Sequence, residues 1–232
     1  MTVLGRFGEI ISTAATGAFS AVIERLRMVF EGDSETRRQV AFSVAMIGMS
    51  AKMAKADGVV TPDEVEAFRD IFAIPEKEAQ NVSRLYNLAK QDVAGFDSYA
   101  RQVRGLFPGE TQILVDVMDG LFHIAKADGL MHEKEQEFLD IVAAIFGITG
   151  RDYARIKARH LDSGEGDPYL ILDLDRSMDD EALKAGYRQL VKENHPDMLI
   201  ARGVPAEFVT IANDRLAAIN KAWEQVRLER GL

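Results

Sequence analysis

Met53-Ala54-Lys55-Ala56-Asp57-Gly58-Val59-Val60 returns 71 residues later as Ile124-Ala125-Lys126-Ala127-Asp128-Gly129-Leu130-Met131, and in each copy a glutamate follows the aspartate by seven positions, at Glu64 and Glu135. An internal repeat of this kind makes each copy one supersecondary unit, and such a unit buries its apolar face only against a neighbour. Val44, Ile47, Ala51 and Ala54 precede the first glycine, and Val117, Leu121, Ile124 and Ala125 precede the second. Val65, Phe68, Ile71 and Phe72 follow the first; Phe138, Leu139, Val142, Ile145 and Phe146 follow the second. These spacings predict two amphipathic helical hairpins, each broken at its Asp-Gly.

Helical periodicity continues on both sides. It predicts helices over Arg37 to Ala56, Pro62 to Phe72, Pro75 to Lys90, Phe96 to Leu106, Glu110 to Ala127, Glu133 to Phe146 and Arg151 to His160. No segment alternates in the manner of a strand, so the fold class is all-α. The stretch from Leu161 to Pro168 is polar and glycine-rich, which predicts a flexible linker. With 47% hydrophobic residues in 232, two packed cores are within reach. The expected division is residues 1–34, a helical segment of unassigned role; 35–160, a helical domain; 161–168, the linker; and 169–232, a second small domain.

The second domain carries the chemistry. Leu183, Tyr187, Leu190 and Val191 share one helix face, while Lys184, Arg188 and Lys192 line up at i, i+4 and i+8 as a cationic ridge. Pro196 has no N–H to donate and biases His195 away from the α region, so the helix stops there and displays His195 and Asp197. Ser177 or Asp179 suits the start of this helix and Pro205 the start of the next, in which Phe208, Ile211, Ala212, Leu216, Ile219, Trp223 and Val226 recur at helical spacing.

Together these residues resemble the J domain of the DnaJ co-chaperone family, whose second helix leads into a His-Pro-Asp loop. Asp167 to Leu172 matches that family's short first helix, and Ala218-Ile219-Asn220-Lys221-Ala222-Trp223 matches its Ile-Asn-x-Ala-Tyr pattern with Trp for Tyr. The resemblance implies a four-helix J domain that docks on a DnaK-type chaperone and stimulates its ATP hydrolysis without supplying a catalytic group. By position, His195, Pro196 and Asp197 are the trigger and Lys184, Arg188 and Lys192 the electrostatic ridge. Met198 stands where the family often has Lys. The Lys-Ala-Asp-Gly hairpins resemble the helical TerB (tellurite resistance) family, and TerB followed by a J domain is the arrangement of DjlA-like proteins. A stress or metal-ion sensor with a J-like appendage is the competing expectation.

The acidic residues of the repeat raise a metal hypothesis through Asp57, Asp63 and Glu64 with Asp128, Glu133 and Glu135. Their spacing lacks the alternating oxygen ligands of an EF-hand, and Thr61-Pro62-Asp63-Glu64 reads as a capping box. Asp57, Glu64, Asp128 and Glu135 are therefore kept as candidates only, and no metal or other cofactor is expected. His123 reads as a packed or partly exposed helix residue and His132 as a cap before Glu135. Without cysteine there is neither a disulfide framework nor a thiolate zinc site, so the zinc module of full-length DnaJ is absent. The net charge of −9, spread over both halves, argues against nucleic-acid binding, and no nucleophile elbow or phosphate loop marks an enzyme. Ile10 to Ile23 is uncharged but too short to cross a bilayer, which needs roughly 20 apolar residues. It is expected to pack on the body or self-associate, with contact at a membrane surface as the alternative. The expected location is the cytoplasm or the inner face of its membrane.

Overall fold

A computed structural model describes residues 21–24, 34–57, 79–92, 94–126, 131–160, 166–206 and 209–232. Ten helices are defined among them: α1 (Ser34–Asp57), α2 (Ala79–Gln91), α3 (Phe96–Leu106), α4 (Thr111–Ala125), α5 (Glu133–Phe146), α6 (Gly150–His160), α7 (Pro168–Leu172), α8 (Asp180–Glu193), α9 (Pro196–Ala201) and α10 (Val209–Arg230). The described residues contain no strand, and the fold is all-α. The expected helix over Pro62 to Phe72 lies outside them. None of the described helices is long and apolar enough to cross a membrane.

Two helices are central because they are buried on every side along most of their length. From Val40 to Ala54 every residue of α1 is buried, and α4 is buried from Ile113 to Phe122. A helix of this kind has no solvent face and must be surrounded. Accordingly α1 packs against α2, α3, α4 and α5, and α4 packs against α1, α5, α6 and α10. Gly120 allows the closest approach: a Cβ there would lie 2.8 Å from Ile211 Cδ1 and 2.6 Å from Met46 Cε. Val22 and Ile23, the last residues of the uncharged amino-terminal stretch, are buried in this same core.

The repeated lysines share one job. Lys55 Nζ donates to the carbonyl of Asp92, just past α2, at 3.2 Å, and Lys126 Nζ donates to the carbonyl of His160, the last residue of α6, at 2.6 Å. A cation at a helix carboxyl end satisfies an orphan carbonyl and complements the dipole. Each Lys-Ala-Asp copy thereby ties its own helix to the end of a later one. Lys52, one turn earlier, is buried against the Asp92 and Ala94 carbonyls at 2.9 and 2.6 Å and lies 4.3 Å from the Tyr99 ring centroid.

A smaller core joins the end of α6 to α7, α8 and α10 through Ala158, Tyr169, Leu172, Leu183, Trp223 and Val226. Asp167 and Pro168, expected in a linker, instead cap and begin α7, with Asp167 accepting from the Tyr169 N–H at 3.0 Å. Arg151 and Arg155 of α6 clasp Asp173 at the end of α7, at 2.7 and 2.9 Å. Residues 161–165 of the expected linker lie outside the described residues. Leu199, Val204, Ile211 and Ala212 from the carboxy-terminal segment are part of the larger core, and α10 threads both. Gly203, at φ +94, lets the chain after α9 press on α1: a Cβ there would lie 2.8 Å from Arg38 Cβ.

Candidate functional site

The rotation of α8 about its axis is set by three contacts. Leu183 is fully buried. Tyr187 stacks on Trp223 with ring centroids 4.6 Å apart and planes 6° from parallel. The Tyr187 hydroxyl donates to Asn220 Oδ1 at 3.0 Å. With that face committed, Arg188 and Lys192 point to solvent without a carboxylate partner among the described residues. Lys184 is half-buried and paired with Glu181 at 3.0 Å, so it is the weakest member of the ridge. Asp179, of the two expected candidates, is the cap, accepting from the Ala182 N–H at 2.8 Å.

At its other end α8 closes with Asn194, whose side chain donates back to the Leu190 carbonyl at 2.8 Å. His195 is extended (φ −64, ψ 141) and serves as the cap of α9, its Nδ1 accepting from the Asp197 N–H at 3.3 Å. In the neutral ring the proton then sits on Nε2. His195 and Asp197 side chains are 54% and 84% exposed, so the turn stands out from the surface. Met198 and Ile200 beside it are exposed apolar groups, while Leu199 between them is buried.

Of the metal candidates, Glu135 is described: it is buried and its carboxylate accepts from the His132 N–H at 2.9 Å, closing a capping box with the residue that the sequence predicts as the cap; the capping box expected at Thr61 to Glu64 lies outside the described residues. Glu64, Asp128 and the side chain of Asp57 lie outside the described residues. Among the described residues no cluster of three His, Cys, Asp or Glu could hold a metal. His123 is partly exposed and meets Asp214 at 2.8 Å.

Sequence reasoning missed a charge cluster between α4, α6 and α10. Asp116 and Asp119, three residues apart in the apolar run of α4, are buried. Arg159 Nη2 donates to both oxygens of Asp119 at 3.0 and 2.8 Å, and His160 Nε2 lies 3.0 Å from Oδ1. Arg215 Nη2 lies 2.7 Å from Asp116 and 2.5 Å from Asp119. Burial alone would raise the Asp119 carboxyl, but the charges of Arg159 and Arg215 and the His160 hydrogen bond outweigh it and hold the group below the usual range. Burial pushes His160 down, so its ring is neutral and donates from Nε2. Two carboxylates one turn apart on an otherwise apolar helix were the available signal, since buried charges need partners.

The family model described as tellurite resistance protein TerB matches residues 43–158. The chain belongs to the TerB family. The matched segment contains Asp116 and Asp119 but ends before α7, so the TerB match alone leaves Arg215 outside. The likeness to curated relatives is broader. A co-chaperone protein DjlA from Aliivibrio fischeri is 24% identical, covering 87% of this chain and 83% of that protein. A DjlA from Photobacterium profundum is 25% identical over 84% and 79%, and one from Coxiella burnetii 25% over 78% and 74%. The TerB-family chain is thus DjlA-like over most of its length. No solved structure matches it significantly.

Proposed function

We propose that this protein is a J-domain co-chaperone: residues 169–232 bind a DnaK-type chaperone and stimulate its ATP hydrolysis, while residues 35–160 form the TerB-type domain that targets it. The observation that carries this reading is the outward display of His195-Pro196-Asp197 at the end of a helix whose free cations, Arg188 and Lys192, face solvent. The names of the DjlA relatives point the same way. In this reading Arg188 and Lys192, with a smaller part for Lys184, steer the encounter with an acidic face of the chaperone. His195, Pro196 and Asp197 then act at the contact. Stimulation is allosteric: docking lowers the barrier only to the extent that it favours the hydrolysis-competent state of the partner.

In single-turnover ATP hydrolysis by the cognate chaperone, the protein is expected to accelerate the reaction, each tenfold corresponding to about 1.4 kcal/mol off the barrier. His195→Gln is expected to remove the acceleration while leaving the fold intact, because the ring is more than half exposed. Equal rates with wild type and variant would refute the reading. Reversing charge with Arg188→Glu plus Lys192→Glu is expected to weaken association strongly at low salt and less at high salt, measured by binding kinetics at two ionic strengths.

A further inference from the structure

Two arginines reach the residues just before the His-Pro-Asp turn, and both also hold carboxylates of α4. Arg202 Nη1 donates to the Glu193 carbonyl at 3.3 Å, while its Nη2 reaches Asp116 Oδ2 at 3.3 Å. Arg215 Nη1 donates to Asn194 Oδ1 at 3.3 Å, and its Nη2 lies against Asp116 and Asp119. Asp116 and Arg215 side chains are 0% and 1% exposed, so this contact is buried and its electrostatics weakly screened. On the far side of the turn, Leu199 and Val204 are seated in the larger core. The turn is therefore gripped before and after by groups that also grip α4.

We propose that Asn194, Arg202 and Arg215 are positioning residues that register the His195-Pro196-Asp197 turn against Asp116 and Asp119 of α4, so that the TerB-type half sets how the turn is presented to a partner. The functional consequence rests on the co-chaperone reading; the mechanical coupling does not. By linkage the coupling runs both ways, and a partner bound at the turn is felt at α4 as a shift transmitted to α4 pushes on the turn. A contiguous charge network is the physical carrier, and its proof is a measured coupling.

The test is amide hydrogen exchange on the full chain. The reporters are the N–H groups of Asp197, bound to His195 Nδ1, and of Met198 and Leu199, bound to the His195 carbonyl. Arg202→Met removes the ties to the Glu193 carbonyl and Asp116, Asn194→Ala removes the Arg215 tie together with the bond to the Leu190 carbonyl, and both leave the Arg215 ion pairs in place; both side chains are partly exposed, so neither change opens the core. Each is expected to speed exchange at the reporters at least roughly tenfold, the low end for losing a charge-assisted hydrogen bond. Amides of α5, such as Gln136, are expected to keep their rates. Unchanged reporter rates in the double variant would overturn the proposal, as would a uniform speeding of all helices, which a merely structural role predicts. With a DnaK-type chaperone, the same variants are expected to lower maximal stimulation and to leave the half-saturating concentration nearly constant. Full stimulation by variants with a loosened turn would overturn the functional consequence. Failure of the wild type to stimulate would instead refute the co-chaperone reading, and the exchange rates would still decide the coupling.

Discussion

Replacing Asp119 with alanine is expected to cost about 3–5 kcal/mol of folding free energy, the usual penalty for removing one partner of a buried ion pair. The carboxylate faces Arg159, His160 and Arg215, and the two arginine side chains are 6% and 1% exposed. Without Asp119, Arg159 loses its buried counter-charge, and Arg215 keeps only Asp116. For a chain of this length each kcal/mol moves the thermal midpoint by roughly 2–4 °C, so a drop on the order of 10 °C is expected in thermal unfolding, with a lower midpoint concentration in urea. A loss under about 1 kcal/mol would mean that water reaches the cluster. The same residue predicts acid sensitivity. Its folded pKa lies below the unfolded value of 3.8, so its stabilisation is present above that pH and is lost as pH falls from 3.8 toward the folded value. His160, held below 6.5 by burial, binds its proton more readily when unfolded, so decline begins already as pH falls through 6.5. Urea midpoints followed from pH 8 to pH 3 should show both windows in the wild type. In Asp119→Ala the lower window should shrink.

Trp223→Ala is the second large effect, with about 3–5 kcal/mol expected for truncating a buried indole. Trp223 is the centre of the smaller core and the stacking partner of Tyr187. Its removal releases the rotation of α8, so Arg188 and Lys192 lose their fixed direction although neither is altered. Hydrogen exchange is expected to accelerate in α8 far more than in α1, because the larger core does not contain Trp223. Trp223→Tyr keeps a ring over Tyr187 and is expected to lose much less. Equal acceleration in α1 and α8 would show that the two cores unfold as one and would refute the selective effect.

Several features of the site were legible because the forces behind them are local. The bounds Phe96–Leu106 and Glu133–Phe146 agree with the predicted helices to the residue. The Asp179 and His132 caps, the stop at Pro196 and the ridge of Arg188 and Lys192 follow from side chains acting on backbone within one or two turns. The carboxy-terminal bound of the expected linker differs for the same reason. Glycine and acidic residues near 161–168 report local chain entropy, but Asp167 belongs to a helix cap, and surfaces on either side are buried against each other.

The sequence by itself determined an all-α chain with a repeated Lys-Ala-Asp-Gly segment and a His-Pro-Asp turn at the end of a cationic helix, because periodicity, caps and proline act over a few residues. Only the tertiary structure decided which arginine answers which aspartate. Asp116 and Asp119 announce a need for counter-charge, but Arg202 and Arg215 meet them across more than eighty residues of chain. For Arg215 that choice follows from the packing of α10 on α4, a long-range burial of apolar surface to which a local pattern is blind.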